Sequence, residues 1–291
     1  MVCRLCQSEN VAEKYKISKF SNPFLVYQCN NCGFMFQDTT PENAYAFYNE
    51  GYYRKEQEYS YIDEREKERF ARYVWKKRFK ILKRLEKTTD KVKNFLDVGC
   101  SFGGLMQVAK ENGYEAYGVE VSEYATRFLR ERFGADKIFT GSIEEVNLPE
   151  DSFSIVTMIE VIEHILNPVK AILNVYKSMK KGGVLLIQTA NMAGLQAKIY
   201  GENYHYFLPG HISYFNHKNL KMLLEKVGFE KIKIYGGVEF GLLPKLLKSR
   251  GDFNSSLDYL KWIRISLYHL ASKLRIGNIF FTSSMVIIAR K

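Results

Sequence analysis

The chain has 291 residues, 46% hydrophobic and 26% charged, a balance that supports a folded core and argues against wholesale disorder. It contains no run of about 18 apolar residues, so a bilayer-spanning helix is not expected. The opening Met1-Val2-Cys3-Arg4-Leu5-Cys6 lacks an apolar leader pattern, and we expect a cytoplasmic protein. The net charge of +11 is uneven: residues 54–93 hold 15 basic and 8 acidic groups, residues 241–291 hold 9 and 2, and the stretch between is near neutral. Basic flanks attract polyanions such as nucleic acid, nucleotide diphosphates or anionic lipid, or they are simply solvated helix faces.

Four of the five cysteines fall in the first 32 residues as two pairs, Cys3-x-x-Cys6 and Cys29-x-x-Cys32. Tetrahedral zinc needs four converging thiolates, which two such turns supply, and Gly33 suits the sharp turn after the second pair. We therefore expect one structural Zn2+ in a zinc ribbon over residues 1–40. An aromatic stretch follows, from Tyr45 to Tyr53, and then helical spacing of Phe70, Val74, Ile81 and Leu85 over residues 60–87, so residues 41–93 read as a Tyr-rich linker and a basic helix.

From Asn94 strands and helices alternate. Strands are expected at Asn94–Val98, Tyr114–Val119, Lys137–Phe139, Phe153–Met158, Val184–Gln188, Glu230–Tyr235 and Ser284–Ala289. Helices are expected at Leu105–Glu111, Glu123–Phe133, Pro168–Met179 and Asn219–Val227, with a turn at Lys181-Gly182-Gly183. Strands separated by helices of this length make βαβ units and a parallel sheet. A long insertion, about 242–279, repeats Leu260, Ile263, Leu267, Leu270 and Leu274 at helical spacing. Lys245, Lys248, Lys261, Arg264, Lys273 and Arg275 are interleaved with them. Such a basic amphipathic helix lies on an anionic membrane surface, at the inner face, or packs on its own domain or a second copy.

The most informative segment is Phe95-Leu96-Asp97-Val98-Gly99-Cys100-Ser101-Phe102-Gly103-Gly104. It follows a strand and opens a helix, where glycines allow close backbone approach to a ligand. As a dinucleotide fingerprint it fails, because Ser101 replaces the second glycine. As Asp-x-Gly-x-Ser-x-Gly it resembles the first motif of class I S-adenosylmethionine-dependent methyltransferases. Glu120, at the end of the second strand, stands where that family binds the ribose hydroxyls. Gly141-Ser142-Ile143 resembles its adenine-contacting motif, with Ser142 replacing the usual Asp. Glu160-Val161-Ile162-Glu163-His164-Ile165-Leu166-Asn167-Pro168 resembles its Glu-His-x-x-x-Pro stretch, and Lys180-Lys181-Gly182-Gly183 its entry to strand five. Five motifs in order make the resemblance specific over about residues 94–240.

The resemblance implies a Rossmann-like α/β fold for residues 94–291: a seven-stranded sheet, last strand antiparallel, with helices on both faces. It implies S-adenosyl-L-methionine as cofactor, held by Asp97, Gly99, Cys100, Ser101, Gly103, Glu120, Val121, Ser142, Ile143, Glu160 and Val161. The aromatic segment Tyr204–Phe215 resembles the family's His-x-x-x-Phe stretch near the acceptor, which makes His211, His205 and His164 the candidate bases. The cysteine segment and Tyr-rich linker also resemble enzymes of sugar, polysaccharide and secondary-metabolite pathways. The expected function is methyl transfer to a small-molecule, sugar or lipid-linked glycan acceptor. The alternative is an rRNA or tRNA methyltransferase gripping RNA with the ribbon and basic flanks, and a third reading is a binding module that kept the fold.

Overall fold

Three antiparallel strands open the chain: β1 (Val11–Ile17), β2 (Phe24–Cys29) and β3 (Met35–Gln37). We describe them, and all that follows, from a computed structural model covering residues 1–291 except 46–47, 55, 57–59, 61–62, 238 and 278. Ala46 and Phe47 of the aromatic stretch, and Tyr61 and Ile62 at the start of the expected long helix, thus lie outside the described residues.

Two short helices follow, α1 (Pro41–Tyr45) and α2 (Glu50–Tyr53), and then α3 (Glu68–Leu85). The helix expected over 60–87 is shorter than its charge pattern suggested. Asp63 caps a separate 3-10 turn at Glu64–Lys67, its side chain accepting the Arg65 amide, and the α-helix begins only at Glu68.

The next five strands, β4 (Asn94–Val98), β5 (Glu115–Glu120), β6 (Ile138–Thr140), β7 (Phe153–Ile159) and β8 (Met179–Ala190), pair in parallel. The helices α4 (Gly104–Glu111), α5 (Glu123–Phe133) and α6 (Pro168–Ser178) connect them. Beyond β8 come α7 (Leu195–Tyr200), the two-residue strand β9 (Ser213–Tyr214), α8 (His217–Val227) and β10 (Glu230–Tyr235). The expected insertion holds α9 (Leu242–Ser249), α10 (Lys261–Ala271) and a small hairpin, β11 (Arg275–Ile276) with β12 (Ile279–Phe280). The last strand is β13 (Ser284–Arg290). The seven-stranded sheet has the order β6-β5-β4-β7-β8-β13-β10, and β13 runs antiparallel to both neighbours, as expected.

The glycine pair at 182–183 is not a free turn, as the sequence suggested. It lies within β8, where the register slips from Phe153–Met179 to Ile155–Val184, so the extra residues bulge out of the ladder with Gly182 at φ +81°.

Alternation along the strands builds a core on each face of this sheet. Phe95, Ile155, Val184, Leu186 and Val286 face α3 and α4, while Leu96, Val98, Val156, Met158, Leu185 and Ile187 face α6 and α8. The second core also contains Cys3, Leu5, Cys29, Phe34 and Phe36. The N-terminal sheet gains its fourth strand from far along the chain, because β9 pairs with β3 (Met35 opposite Tyr214, Phe36 opposite Ser213).

Phe34 and Phe215 join the two sheets, ring centroids 4.9 Å apart and both fully buried. Phe215→Ala should cost about 3–5 kcal/mol by leaving a cavity at this joint. Urea unfolding is the check, with a single transition moved to lower midpoint as the expected result.

Candidate active site

In an open parallel sheet, ligands bind beyond the carboxyl ends of the strands where consecutive crossovers leave in opposite directions. Here that point lies between β4 and β7. A cavity of about 600 Å³ opens over it, within the range of small-molecule sites. Among its walls are Asp97, Gly99, Cys100, Ser101, Glu120, Val121, Ser142, Ile143, Glu160, Val161, His164, His205 and His211. Every cofactor or base residue expected from the sequence therefore stands in one wall, except Gly103, which caps α4 at φ +77°.

The loop after β4 is tightly wound. Gly99 and Ser101 have φ of +69° and +49°, and any Cβ on Gly99 would collide with Val161. The winding turns the Ser101 amide onto Glu120, donating to Oε2 at 2.9 Å, while the Ser122 amide donates to Oε1 at 3.0 Å and the Tyr53 hydroxyl reaches Oε1 at 3.4 Å. Burial raises the Glu120 pKa and these backbone amides oppose it. One lone pair of Oε2 remains to accept from a ligand hydroxyl. Ser101 Oγ is buried without a hydrogen-bond partner, so the wall carries a polar atom that a bound ligand would satisfy.

Asp97 is buried and accepts from Thr157 Oγ1 at 2.6 Å; burial pushes its carboxyl up to about 7. Cys100 packs against Gly118, and burial raises its thiol well above the usual range, so it is filling rather than a nucleophile. Ser142 donates to Glu144 Oε2 at 2.7 Å, and the same carboxylate binds the Tyr45 hydroxyl and the Asn167 amide. That network anchors the Tyr-rich segment over the cavity, where Tyr48, Tyr52 and Tyr53 line it. The sequence showed those tyrosines as a run but carried no period to say which way they point.

Glu160 sits at φ +54°, the left-handed region a bulky residue rarely adopts, immediately after β7. Its Oε1 accepts from Gln188 Nε2 at 2.6 Å, Gln188 Oε1 accepts from Arg78 Nη2 at 2.5 Å, and Arg78 pairs with buried Glu239. Sequence reading missed this chain, because its members come from α3, β8 and the loop before α9.

The three histidines sit differently. Nδ1 of His164 lies 2.7 Å from the Gly210 carbonyl and Nδ1 of His211 lies 2.8 Å from the Tyr206 carbonyl, and the two rings are 4.7 Å apart. Burial holds His164 neutral, down at about 4, and His211 well below its ordinary value. His205 is exposed at the cavity rim, lowered by partial burial and then by Lys19. Gln37 secures the histidine loop from the N-terminal sheet, donating to the His211 carbonyl at 2.7 Å and to the Leu208 carbonyl at 3.2 Å.

The four N-terminal cysteines converge. Cys3 and Cys32 sulfurs are 3.7 Å apart, those of Cys6 and Cys29 are 3.6 Å apart, and all four lie within 4.8 Å of one another. A disulfide needs about 2.05 Å, whereas a tetrahedron with metal–sulfur bonds of about 2.3 Å has an edge of about 3.8 Å. Each pair closes alike, Gln7 (φ +62°) donating to the Cys3 carbonyl and Gly33 (φ +71°) to the Cys29 carbonyl, both at 2.9 Å.

Fold and cavity together define an α/β domain with one cavity at the switch point of its sheet, lined by the loop after β4, by Glu120 and by aromatic side chains. Residues 67–234 match the methyltransferase-domain family model, and the chain belongs to that family. It is 25% identical over 146 residues to a Mycolicibacterium smegmatis protein named "Probable S-adenosylmethionine-dependent methyltransferase", covering 47% of this chain and 52% of that one. It is 30% identical over 110 residues to a ubiquinone biosynthesis O-methyltransferase of Coxiella burnetii, covering 36% and 47%. The chain thus spans about half the length of these curated relatives. Among solved structures, an S-adenosylmethionine-dependent methyltransferase from Archaeoglobus fulgidus superposes with TM-score 0.51 at 20% identity, covering 77% of this chain and 97% of that one. Phosphoethanolamine N-methyltransferase 2 of Haemonchus contortus, in complex with S-adenosyl-L-methionine, superposes at 0.54 with 15% identity, covering 95% and 71%. These likenesses show the fold, and the family match places a methyltransferase domain over residues 67–234. Ser101 Oγ and Glu120 Oε2, both on the cavity wall and with capacity for a further hydrogen bond, fit S-adenosylmethionine as a cofactor.

Glu120→Gln keeps the volume and removes the charge. It should weaken S-adenosylmethionine binding by about 1.5–3 kcal/mol, at least about tenfold in Kd, and lower the melting temperature, because the new amide NH2 must face the Ser101 or Ser122 N–H. Calorimetric titration reads the first, and an unchanged Kd would move the ribose contact elsewhere.

Proposed function

We propose that this protein transfers a methyl group from S-adenosylmethionine to a hydroxyl on a small ring-shaped acceptor, a sugar or a phenol. The observation that carries the reading is that one cavity joins the Gly99–Glu120 cradle to a compartment roofed by Tyr48, Tyr52, His205, Tyr206 and His211. Rings suit a ring, and a cavity of about 600 Å³ lined by so many aromatic side chains favours a small acceptor over an RNA base. When bound, the cofactor supplies a methyl group activated on a positively charged sulfur. The chain's own part is to orient the acceptor, exclude water and take a proton. His205, at the rim, is placed to accept that proton and pass it to solvent; His164 and His211, buried and anchored, hold position. His205→Ala should lower turnover on a hydroxyl acceptor by about 10²–10⁴-fold with cofactor affinity unchanged. A base must be deprotonated to act, and its pKa here is lowered, so the acidic limb of the wild-type profile should lie below pH about 6.5 and vanish in the variant. A limb that persists in His205→Ala would assign the base to another group.

We also propose that Cys3, Cys6, Cys29 and Cys32 bind one zinc ion. Four thiolates leave no open position, so its role is structural. Purified protein should contain about one equivalent of zinc, and stripping it should lower the melting temperature; zinc-free protein with four titratable thiols and an unchanged melt would refute this.

For α10 we propose contact with an anionic membrane surface. Its outer face carries Leu260, Ile263, Leu267 and Leu270, each 59–64% exposed, with Lys261 and Arg264 along one edge and Lys273 beyond its end. Phe240, Lys245 and Lys248, on and beside the helix α9 on which α10 packs, line the cavity, so a docked α10 would bring the pocket mouth to the lipid. The protein should sediment with phosphatidylglycerol vesicles and not with phosphatidylcholine vesicles, and Leu267→Glu with Leu270→Glu should abolish sedimentation. Failure of the wild type to sediment with either would remove the membrane from this reading.

A further inference from the structure

The charges on the cavity wall do not balance evenly. Arg65, Arg78, Arg132, Lys245 and Lys248 all line it. Each arginine has its own carboxylate. Arg65 holds Asp63 at 2.7 Å, Arg132 reaches Glu68 at 3.1 Å, and Arg78 pairs with buried Glu239. Acids of the wall are engaged as well: Asp97 by Thr157, Glu120 by two backbone amides and Glu160 by Gln188.

Lys245 is the exception. It is half-buried on α9, its Nζ lies 4.7 Å from the centroid of the Tyr268 ring, and it pairs with no carboxylate among the described residues. A ring face attracts the charge, but it leaves the three N–H donors of the ammonium without an oxygen. Burial lowers the Lys245 pKa, and no acid offsets it. Taking a cation out of water without a counter-charge is costly, so an anion is what this side of the cavity lacks. Lys248 follows three residues later, on the same face of α9, and is exposed at the rim. Phe240, buried just before α9, adds an apolar ring beside the two lysines. The shape of the missing anion follows from the donors. A planar carboxylate matches the fork of an arginine, whereas a tetrahedral phosphate suits two separate point charges.

We propose that Lys245 and Lys248 bind a phosphate group carried by the acceptor, so that the substrate class is a phosphorylated ring compound rather than a neutral one. The inference rests on the methyl-transfer reading for calling the ligand an acceptor, but not for its binding chemistry. Held by α9, the phosphate fixes one end of the acceptor while its ring occupies the same cavity as the Gly99–Glu120 cradle, and fewer orientations remain to be lost on the way to reaction. A lipid headgroup also carries phosphate, and α9 packs on α10, so soluble and lipid phosphate are tested separately.

Phenyl phosphate is the probe, with phenol as its neutral counterpart. Each is titrated with full-length protein free of cofactor and lipid, and binding is followed by broadening of the ligand's NMR lines. The wild type should bind phenyl phosphate at least about tenfold more tightly than phenol. Lys245→Gln should weaken phenyl phosphate at least about fivefold, and Lys245→Gln with Lys248→Gln should bring it down to the level of phenol. Both variants should keep the wild-type affinity for S-adenosylmethionine, which also reports that they are folded. A wild type that binds phenyl phosphate no better than phenol overturns the proposal. So do folded variants that bind it as well as the wild type, and if those same variants lose sedimentation with phosphatidylglycerol vesicles, the lysines serve lipid headgroups instead. A parallel loss of S-adenosylmethionine affinity in Lys245→Gln would give the lysine to the cofactor's carboxylate and also overturn it. Because the probe is read without cofactor, absence of S-adenosylmethionine binding by the wild type is a separate result that counts against the methyl-transfer reading.

Discussion

The structure depends on a reversal of direction at β4. The chain lays down β4, adds β5 and β6 on one side, then returns to add β7 and β8 on the other. Loops leaving β4 and β7 must therefore part, and the gap cannot be filled by either crossover. The close fit of Gly99 against Val161 marks how near the two loops still come at the base of that gap. Above it they diverge, one carrying the Ser101–Glu120 hydrogen bond and the other carrying Glu160 and His164, and both line the same cavity.

The N-terminal sheet is a buttress of that second side. Its strand β3 takes β9 as a neighbour, its phenylalanines enter the core beneath α6 and α8, and Gln37 holds the carbonyls of Leu208 and His211. The cysteine cluster thereby gains a physical link to the cavity through a short path: cysteine turns, β3, Gln37, histidine loop.

How much of this was legible in the sequence follows from the range of each interaction. The seven strands of the main sheet announced themselves because each is buried or alternates over several residues and is bounded by helices with clear caps, such as Ser122 before α5 and Gly228 after α8. The loop after β4 was legible because its glycines obey a local backbone constraint. By contrast β9 has two residues and no period, and its strand character comes wholly from β3. The encounter of His164 with His211 and the hold of Gln37 on the histidine loop are both long-range, the latter across 174 positions, and nothing in either segment encodes the other. The outward leucines of α10 were visible as a stripe, but a stripe alone does not say whether a neighbour covers it, and here none of the described residues does.

The β3–β9 seam also has a meaning in time. During synthesis from the N-terminus, the strands β1 to β3 emerge well before Ser213 and Tyr214 exist. Until then the outer edge of β3 offers unpaired backbone groups, and Gln37 has no carbonyls to bind. The nascent sheet must wait through the whole of β4 to β8 with one flank bare, and closing so long a loop carries an entropic cost that only the finished core repays. A chain halted after β8 would display that flank permanently, next to Phe34 and Phe36, and would be the species most prone to pair with its own copies.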